Sequence, residues 1–535
     1  MTSMDSFLAC SNLTVRFYEQ PNPVLHQVSL SIQKGEKVLI LGPSGSGKST
    51  LISVLAGIIP EHMEAEVQGE VMRQRHTSVM FQDPDSQFCM HRVNEEIAFS
   101  LENRSVPREQ MDDMIQHLMK KVQLDVDPNT DIHTLSGGMK QRLALACLLA
   151  LEPDVLFFDE PTAQLDPAGR MEIFQLLQQL SAEQNQTMIF VEHVLDGVIE
   201  WMDRVILLDH QGRIIADGTP KDVMNTFEGE MKEAGIWRPK IFPEKWSNVL
   251  QDPFHPLSQT LLQTFEARKE RHEKLSSTDR EVIIRTDHLQ LSYGKKSIID
   301  DLHLNIKAGD WVAIIGENGS GKSTFLKHVI RLEPIKKGHI FLKGKHLKKW
   351  SDRTLYEKAG FVFQNPELQF IQDTVFDEIA FGGRQRNWPE SVVQEKTNQL
   401  LAEFGLEKHR DVHPFTLSLG QKRRLSVATM LLFDQDVLIL DEPTFGQDEK
   451  TARELIRRLK ERQRQGTTII MVTHDMELVD ECADQVLVFH QGEHVYDGTP
   501  FDLFSHQELV TSCELRVPLH YRYMAERKEV MTIAK

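Results

Sequence analysis

Gly42-Pro43-Ser44-Gly45-Ser46-Gly47-Lys48-Ser49-Thr50 returns 274 residues later as Gly316-Glu317-Asn318-Gly319-Ser320-Gly321-Lys322-Ser323-Thr324. Each stretch follows a short apolar run, Val38-Leu39-Ile40-Leu41 in the first copy and Val312-Ala313-Ile314-Ile315 in the second. A glycine-rich loop between a buried strand and a helix turns backbone N–H groups toward phosphate oxygens, and the helix N-terminus adds partial positive charge. In that chemistry Lys48 and Lys322 reach the terminal phosphates, and the hydroxyls of Ser49 and Ser323 ligate Mg²⁺. A repeat at this separation is a duplicated domain, not a short structural repeat.

Further along each copy, Val155-Leu156-Phe157-Phe158 and Val437-Leu438-Ile439-Leu440 are continuous apolar runs that end in acid pairs. Met188-Ile189-Phe190-Val191 and Thr468-Ile469-Ile470-Met471-Val472 repeat the pattern. Strands buried on both faces read this way, which predicts an α/β fold with a mostly parallel sheet between helices. Asp159 and Asp441 are placed to hold Mg²⁺, and Glu160 and Glu442 to orient or deprotonate an attacking water. The offset grows from 274 residues at Lys48 and Lys322 to 282 at Glu160 and Glu442. The second copy has therefore gained eight residues before Gln364, expected as a longer hairpin near 338–352. Between the copies, 227–280 matches neither. Leu257, Leu261 and Phe265 stand at helical spacing there, which predicts a helix packed on the first domain, followed by an exposed, charge-alternating tether.

Both copies resemble the nucleotide-binding domains of the ATP-binding-cassette family. The family signature is matched by Leu135-Ser136-Gly137-Gly138-Met139 and Leu417-Ser418-Leu419-Gly420-Gln421, its glutamine loop by Gln82 and Gln364, and its switch histidine by His193 and His474. The loop after the acid pair ends in Asp166 and Asp448, and the adenine-stacking aromatic is matched by Tyr293, with Phe17 as its counterpart. The resemblance covers about 440 of the 535 residues. It implies two tandem P-loop ATPase domains at 6–226 and 281–506, each adding an antiparallel β subdomain and a helical signature subdomain, with a linker at 227–280 and a tail at 507–535. It also implies two composite ATP sites with Mg²⁺, formed head to tail within one chain. One joins Lys48, Ser49, Gln82, Asp159, Glu160 and His193 to Ser418–Gly420. The other joins Lys322, Ser323, Gln364, Asp441, Glu442 and His474 to Ser136, Gly137 and Gly138. The two glutamines serve the metal as well as the catalytic water in this scheme.

The copies differ where it matters to that scheme. Leu419 stands where the first copy has Gly137, so the Lys48 site is expected to close less well and turn over more slowly. Phe81-Gln82-Asp83-Pro84-Asp85-Ser86-Gln87-Phe88 and Phe363-Gln364-Asn365-Pro366-Glu367-Leu368-Gln369-Phe370 resemble the energy-coupling-factor branch of importers for vitamins and metal ions. That resemblance implies a transmembrane coupling protein and a small substrate-binding membrane protein as partners. Phe88, Phe99, Phe370 and Phe381 are candidates to line the groove that receives them. Fused sugar-import ATPases and soluble twin-cassette translation factors are the alternatives.

Acidic residues outnumber basic ones, 79 to 61, for a net charge of −18, which argues against nucleic acid as a partner. Five scattered cysteines without metal-ligand spacing read as reduced thiols. No signal-peptide pattern and no run of about 18 apolar residues stand in the sequence. The expectation is a protein on the cytoplasmic face of the cell membrane, held there by its partners.

Overall fold

The computed structural model describes residues 7–18, 22–163, 165–275, 280–293, 296–444 and 447–533. The chain forms two compact units, Met1–Lys245 with Asp448–Lys450, and Trp246–Gln447 with Thr451–Lys535.

In the first unit the strands are β1 (Leu8–Arg16), β2 (Leu25–Ile32), β3 (Lys37–Leu41), β4 (Glu66–Met72), β5 (Thr77–Met80), β6 (Val155–Asp159), β7 (Thr187–Val191), β8 (Arg204–Leu208) and β9 (Ile214–Gly218). The main sheet runs β5-β6-β7-β3-β8-β9, parallel except for the final β8–β9 pair. A smaller antiparallel sheet runs β2-β1-β4. The continuous apolar runs are buried on both faces, as a parallel sheet covered by helices requires: Leu39 and Phe158 face one apolar core, Ile40 and Phe157 the other.

The second unit repeats this plan with β10 (Val282–Tyr293), β11 (Lys296–Lys307), β12 (Trp311–Gly316), β13 (His339–Leu342), β14 (Lys345–His346), β15 (Ala359–Val362), β16 (Val437–Asp441), β17 (Thr468–Val472), β18 (Gln485–His490) and β19 (Glu493–Gly498). Its main sheet is β15-β16-β17-β12-β18-β19 and its antiparallel sheet β11-β10-β13-β14. The eight-residue gain appears where the offset placed it, as the β13–β14 hairpin, a short 3-10 turn and the helix Asp352–Lys358.

The connector departs from its expectation. A helix does form, over Pro256–Leu275, but it belongs to the second unit and packs against the C-terminal helix Leu519–Ile533. Its charged stretch is not a free tether. Arg268 Nε donates to Asp480 Oδ2 at 2.6 Å, and Arg271 Nη2 donates to Cys482 O at 2.8 Å and Asp484 Oδ1 at 2.9 Å. Asp480 lies on the short helix Met476–Cys482, just after His474, and is 3% exposed. The tail reaches the same carboxylate: Tyr521 donates its hydroxyl to Asp480 Oδ1 at 2.9 Å, and His520 Nε2 lies 3.3 Å from Oδ2. Burial works to raise the Asp480 pKa, but the adjacent His520 imidazole and the Arg268 guanidinium hold it below the ordinary value. A second contact, Trp246 Nε1 to Glu526 Oε2 at 2.6 Å, and a small apolar cluster of Val249, Leu261 and Tyr523 complete the seam.

Asp480→Ala leaves the Arg268 guanidinium and the Tyr521 hydroxyl without their buried acceptor. It is expected to cost the second unit roughly 3–5 kcal/mol, read as a lower unfolding temperature in calorimetry of the full chain. An unchanged transition would show that the seam is not held by this carboxylate.

Candidate functional site

In each unit the glycine loop leaves the carboxyl end of a central strand, β3 or β12, where the connections of the sheet diverge to its two sides. Open α/β sheets place ligands at that edge. The loop leads into the helix Lys48–Leu55 or Lys322–Val329. Gly47 has φ 86, and a Cβ there would stand 2.7 Å from Leu25 Cδ2 and 2.9 Å from the Val24 carbonyl. Only glycine fits. At Gly45, φ 80, nothing lies within 4 Å of a Cβ, so glycine there answers the left-handed backbone and not a close neighbour.

The lysines are buried, each 6% exposed. Lys48 Nζ donates to the carbonyls of Gly42 at 2.9 Å and Pro43 at 3.0 Å; Lys322 Nζ donates to those of Gly316 at 2.9 Å and Glu317 at 2.7 Å. Burial depresses the Lys48 pKa, against the pull of Glu160 and Asp159. Ser46 Oγ and Ser320 Oγ are buried without a hydrogen-bond partner, and so is Asp441 Oδ1. Polar atoms buried without partners are costly, and a phosphate and its cation supply what they lack. The residues therefore fit Mg-nucleotide.

At the end of β6, Asp159 Oδ1 accepts from Ser49 Oγ at 3.0 Å. Burial pushes the Asp159 pKa up to about 6. Mg²⁺ would be held by Ser49 and Asp159, or by Ser323 and Asp441, and would draw charge from the terminal phosphates. Glu160 and Glu442 share a left-handed backbone, φ 52 in both, pinned by N–H donation to Val191 O at 2.9 Å and Val472 O at 3.0 Å. Two bulky residues held alike outside their preferred backbone region are over-determined by their surroundings, a feature of functional positions.

Around these carboxylates the copies part. Glu160 accepts from Gln82 Nε2 at 2.9 Å, and its other oxygen lies 2.8 Å from His193 Nε2. Burial acts to raise its pKa, but His193 and Lys48 hold it below the usual value. Glu442 lies 3.4 Å from His474 Nε2, and Gln364 is exposed. Burial and the neighbouring Asp441 charge push Glu442 up to about 8. Asp441 is also raised by burial.

Two residues near the acid pairs carry no motif signal. Arg423 on the second signature helix is 2% exposed, and its charge acts on both Glu442 and Asp441; burial lowers its pKa to about 10. The first copy has Gln141 at that position, fully buried and neutral. Glu192, just before His193, is buried and accepts from Thr162 N at 3.2 Å and Thr162 Oγ1 at 2.8 Å, with burial pushing it to about 7. Thr473 takes its place in the second copy. Both become visible only when the copies are compared position by position.

Ser136 and Ser418 cap the signature helices Gly137–Ala150 and Leu419–Met430, each accepting from the third helical residue at 3.4 Å. Gly137, Gly138 and Gly420 are not among the residues with positive φ, so the signature makes no backbone demand at its third residue that leucine cannot meet. Leu419 is 41% exposed at the first helical position. Any effect of Leu419 therefore comes from its side chain, not from backbone strain.

Each signature helix is tied within its own unit to the segment after the glutamine. Lys140 Nζ meets Asp85 at 2.7 Å, and Lys422 Nζ meets Glu367 at 2.5 Å. Asp166 accepts from Gly169 N at 2.7 Å as the cap of the next helix. Phe17 is half-buried against the β-subdomain core, while the adjoining Tyr18 is 70% exposed and is the freer aromatic surface there. Tyr293 ends β10; its side chain lies outside the described residues.

Residues 25–163 and 299–445 match the family model described as ABC transporter. The chain is 40% identical over 547 aligned residues to the putative HMP/thiamine import ATP-binding protein YkoD of Bacillus subtilis strain 168, covering 99% of this chain and 98% of that one. It is 34% identical to a putative ABC transporter ATP-binding protein of Methanosarcina mazei, over 97% of this chain and 93% of the relative. A solved structure of cbiO1 from Clostridium perfringens, described as part of the ABC transporter complex cbiONQ, is 31% identical, with a TM-score of 0.40, covering 46% of this chain and 100% of its own. The chain belongs to the ABC transporter family, and its two copies are ATP-binding ATPase domains.

A carboxylate acts as a base only when ionised. With Glu160 and Glu442 as the candidate bases, Glu442→Gln would leave Glu160, held low, and Glu160→Gln would leave Glu442, held high. The acid limb of the ATPase pH profile is therefore expected at lower pH in Glu442→Gln than in Glu160→Gln. Coincident limbs would mean that the two carboxylates do not differ in the working enzyme.

Proposed function

We propose that the two domains hydrolyse ATP at two composite sites and drive uptake of a vitamin, in the range of thiamine or its pyrimidine precursor, through separate transmembrane partners. The similarity to an HMP/thiamine import protein carries this reading, because it extends over both domains, the connector and the tail. In each site the lysine and serine of one glycine loop bind Mg-ATP, the following glutamate and histidine act on water, and the signature of the other copy closes over the phosphates.

Coupling to a membrane partner is supported by the segments after Gln82 and Gln364. Among the described residues of the second, Leu368 is 71% and Ile371 64% exposed; in the first, Met90 is 36% exposed. Apolar side chains left in water beside a helical subdomain suit docking of a partner's helix. Phe370 is 7% exposed core, and Phe88, Phe99 and Phe381 are half-buried, so the neighbouring aliphatic residues offer the surface instead. The Lys140–Asp85 and Lys422–Glu367 pairs link that segment to the signature helix, so a docked helix and the ATP-closing element move together. Among the described residues no helix is long and apolar enough to cross a membrane, so in this reading the chain acts from the cytoplasmic face of the cell membrane.

Purification of the tagged chain from membranes in mild detergent is expected to recover a coupling protein and a small membrane binder; recovery of ribosomes would overturn the reading. Leu419→Gly in a Glu442→Gln background, where only the Lys48 site turns over, is expected to raise ATPase activity several-fold. Unchanged turnover would show that the leucine is tolerated in that site.

A further inference from the structure

The outer face of the second antiparallel sheet carries a side-chain constellation that ATP hydrolysis does not use. His288 lies on β10, with Asp301 and His303 on the paired β11. Leu302 and Leu304 point into the core, so Asp301 and His303, two residues apart, share the solvent face. The register shifts between the pairs Thr286–Leu304 and Leu289–Leu302, and His288 sits in that irregularity with φ 46. The bulge turns the His288 ring to its neighbours across the strand. His288 Nδ1 is 2.9 Å from Asp301 Oδ1, His303 Nε2 is 3.2 Å from the same oxygen, and the two ring nitrogens are 3.2 Å apart.

We propose that His288, Asp301 and His303 bind a divalent transition-metal ion of the zinc, cobalt or nickel type, clamping β10 to β11. The three donor atoms form a nearly equilateral triangle whose centre lies roughly 1.8 Å from each corner. An ion lifted slightly off that plane meets all three at about 2.0–2.2 Å, the range for imidazole and carboxylate ligands of zinc. Hydrogen bonding alone serves the cluster poorly. Two imidazole nitrogens face each other and one oxygen, so a proton on both sets donor against donor, whereas one cation takes a lone pair from all three. Two nitrogen ligands favour borderline transition ions over the magnesium that accompanies ATP. Side-chain exposures of 73% at His288, 62% at Asp301 and 50% at His303 leave the remaining coordination positions to water.

The first copy is a built-in control. Its Leu13–Val28 pair corresponds to Leu289–Leu302, so Asn12, Gln27 and Ser29 occupy the three ligand positions. Asn12 has the same left-handed backbone, φ 51, and its N–H donates to Ser29 Oγ at 2.8 Å. The bulge is thus part of the fold, while the ligands are particular to the second copy. On the adjoining hairpin His339 Nδ1 lies 3.0 Å from His346 Nε2, a pair that among the described residues gains no third ligating group.

The test uses untagged full-length protein, free of nucleotide and stripped with chelator, carrying Cys89→Ser to remove the exposed thiol. Titration with ZnCl₂ by calorimetry, and with CoCl₂ by visible absorption, is expected to show one equivalent bound. Since loss of a second-shell contact alone weakens metal binding 10- to 100-fold, His288→Ala, His303→Ala and Asp301→Asn are each expected to weaken it at least about tenfold. The Mg²⁺-supported ATPase rate, measured without added zinc or cobalt, is expected to stay unchanged in these variants. Binding that survives the His288→Ala/His303→Ala double variant, or that is lost instead in His339→Ala/His346→Ala, would overturn the proposal.

Discussion

Two buried ammonium groups, Lys48 and Lys322, are each held by carbonyl oxygens of their own glycine loop. A buried cation is costly without partners, and the loop can offer its carbonyls only by taking left-handed turns at glycines. The central strand must then end where the loop begins, and the helix must start at the lysine. The acid pair must follow from a strand parallel to the first and close to it. Much of the sheet order around β3 and β12 serves to deliver these pieces to one edge.

That edge was legible in the sequence because its requirements are local. Continuous apolar runs named the parallel strands, the glycines named the loops, and the growing offset between copies located the β13–β14 hairpin. What was not legible depends on contacts made across long stretches of chain. The spacing of Leu257, Leu261 and Phe265 says that a helix has an apolar face, not which surface covers it. Arg268 meets Asp480 across 212 positions, and no periodicity encodes that distance. That Leu419 replaces a glycine is plain in the sequence; only the helical geometry there shows that the exchange adds a side chain without straining the backbone. The aromatic residues after the glutamines looked like docking surface, but the core took Phe370 and left Leu368 and Ile371 outside.

Comparison of the copies within one chain separates what the fold needs from what each half has acquired. The left-handed glutamates, the serine caps and the lysine–acid ties to the signature helices are common to both. Gln141 against Arg423, Glu192 against Thr473, and the two placements of the glutamine are not. Each of the latter alters the field around an acid pair without touching the phosphate loop. The electrostatic setting of the two halves has drifted while the frame has stayed fixed.

The seam at Asp480 gives the duplication a different boundary in folding than in descent. By descent the second copy begins near β10, yet the compact unit that contains it begins at Trp246 and takes in the C-terminal helix as well. Two segments with no counterpart in the repeat thus meet on one buried carboxylate just past His474. The inherited module and the cooperative module are not the same stretch of chain, and a fragment cut at the repeat boundary would leave that carboxylate without the arginine that neutralises it.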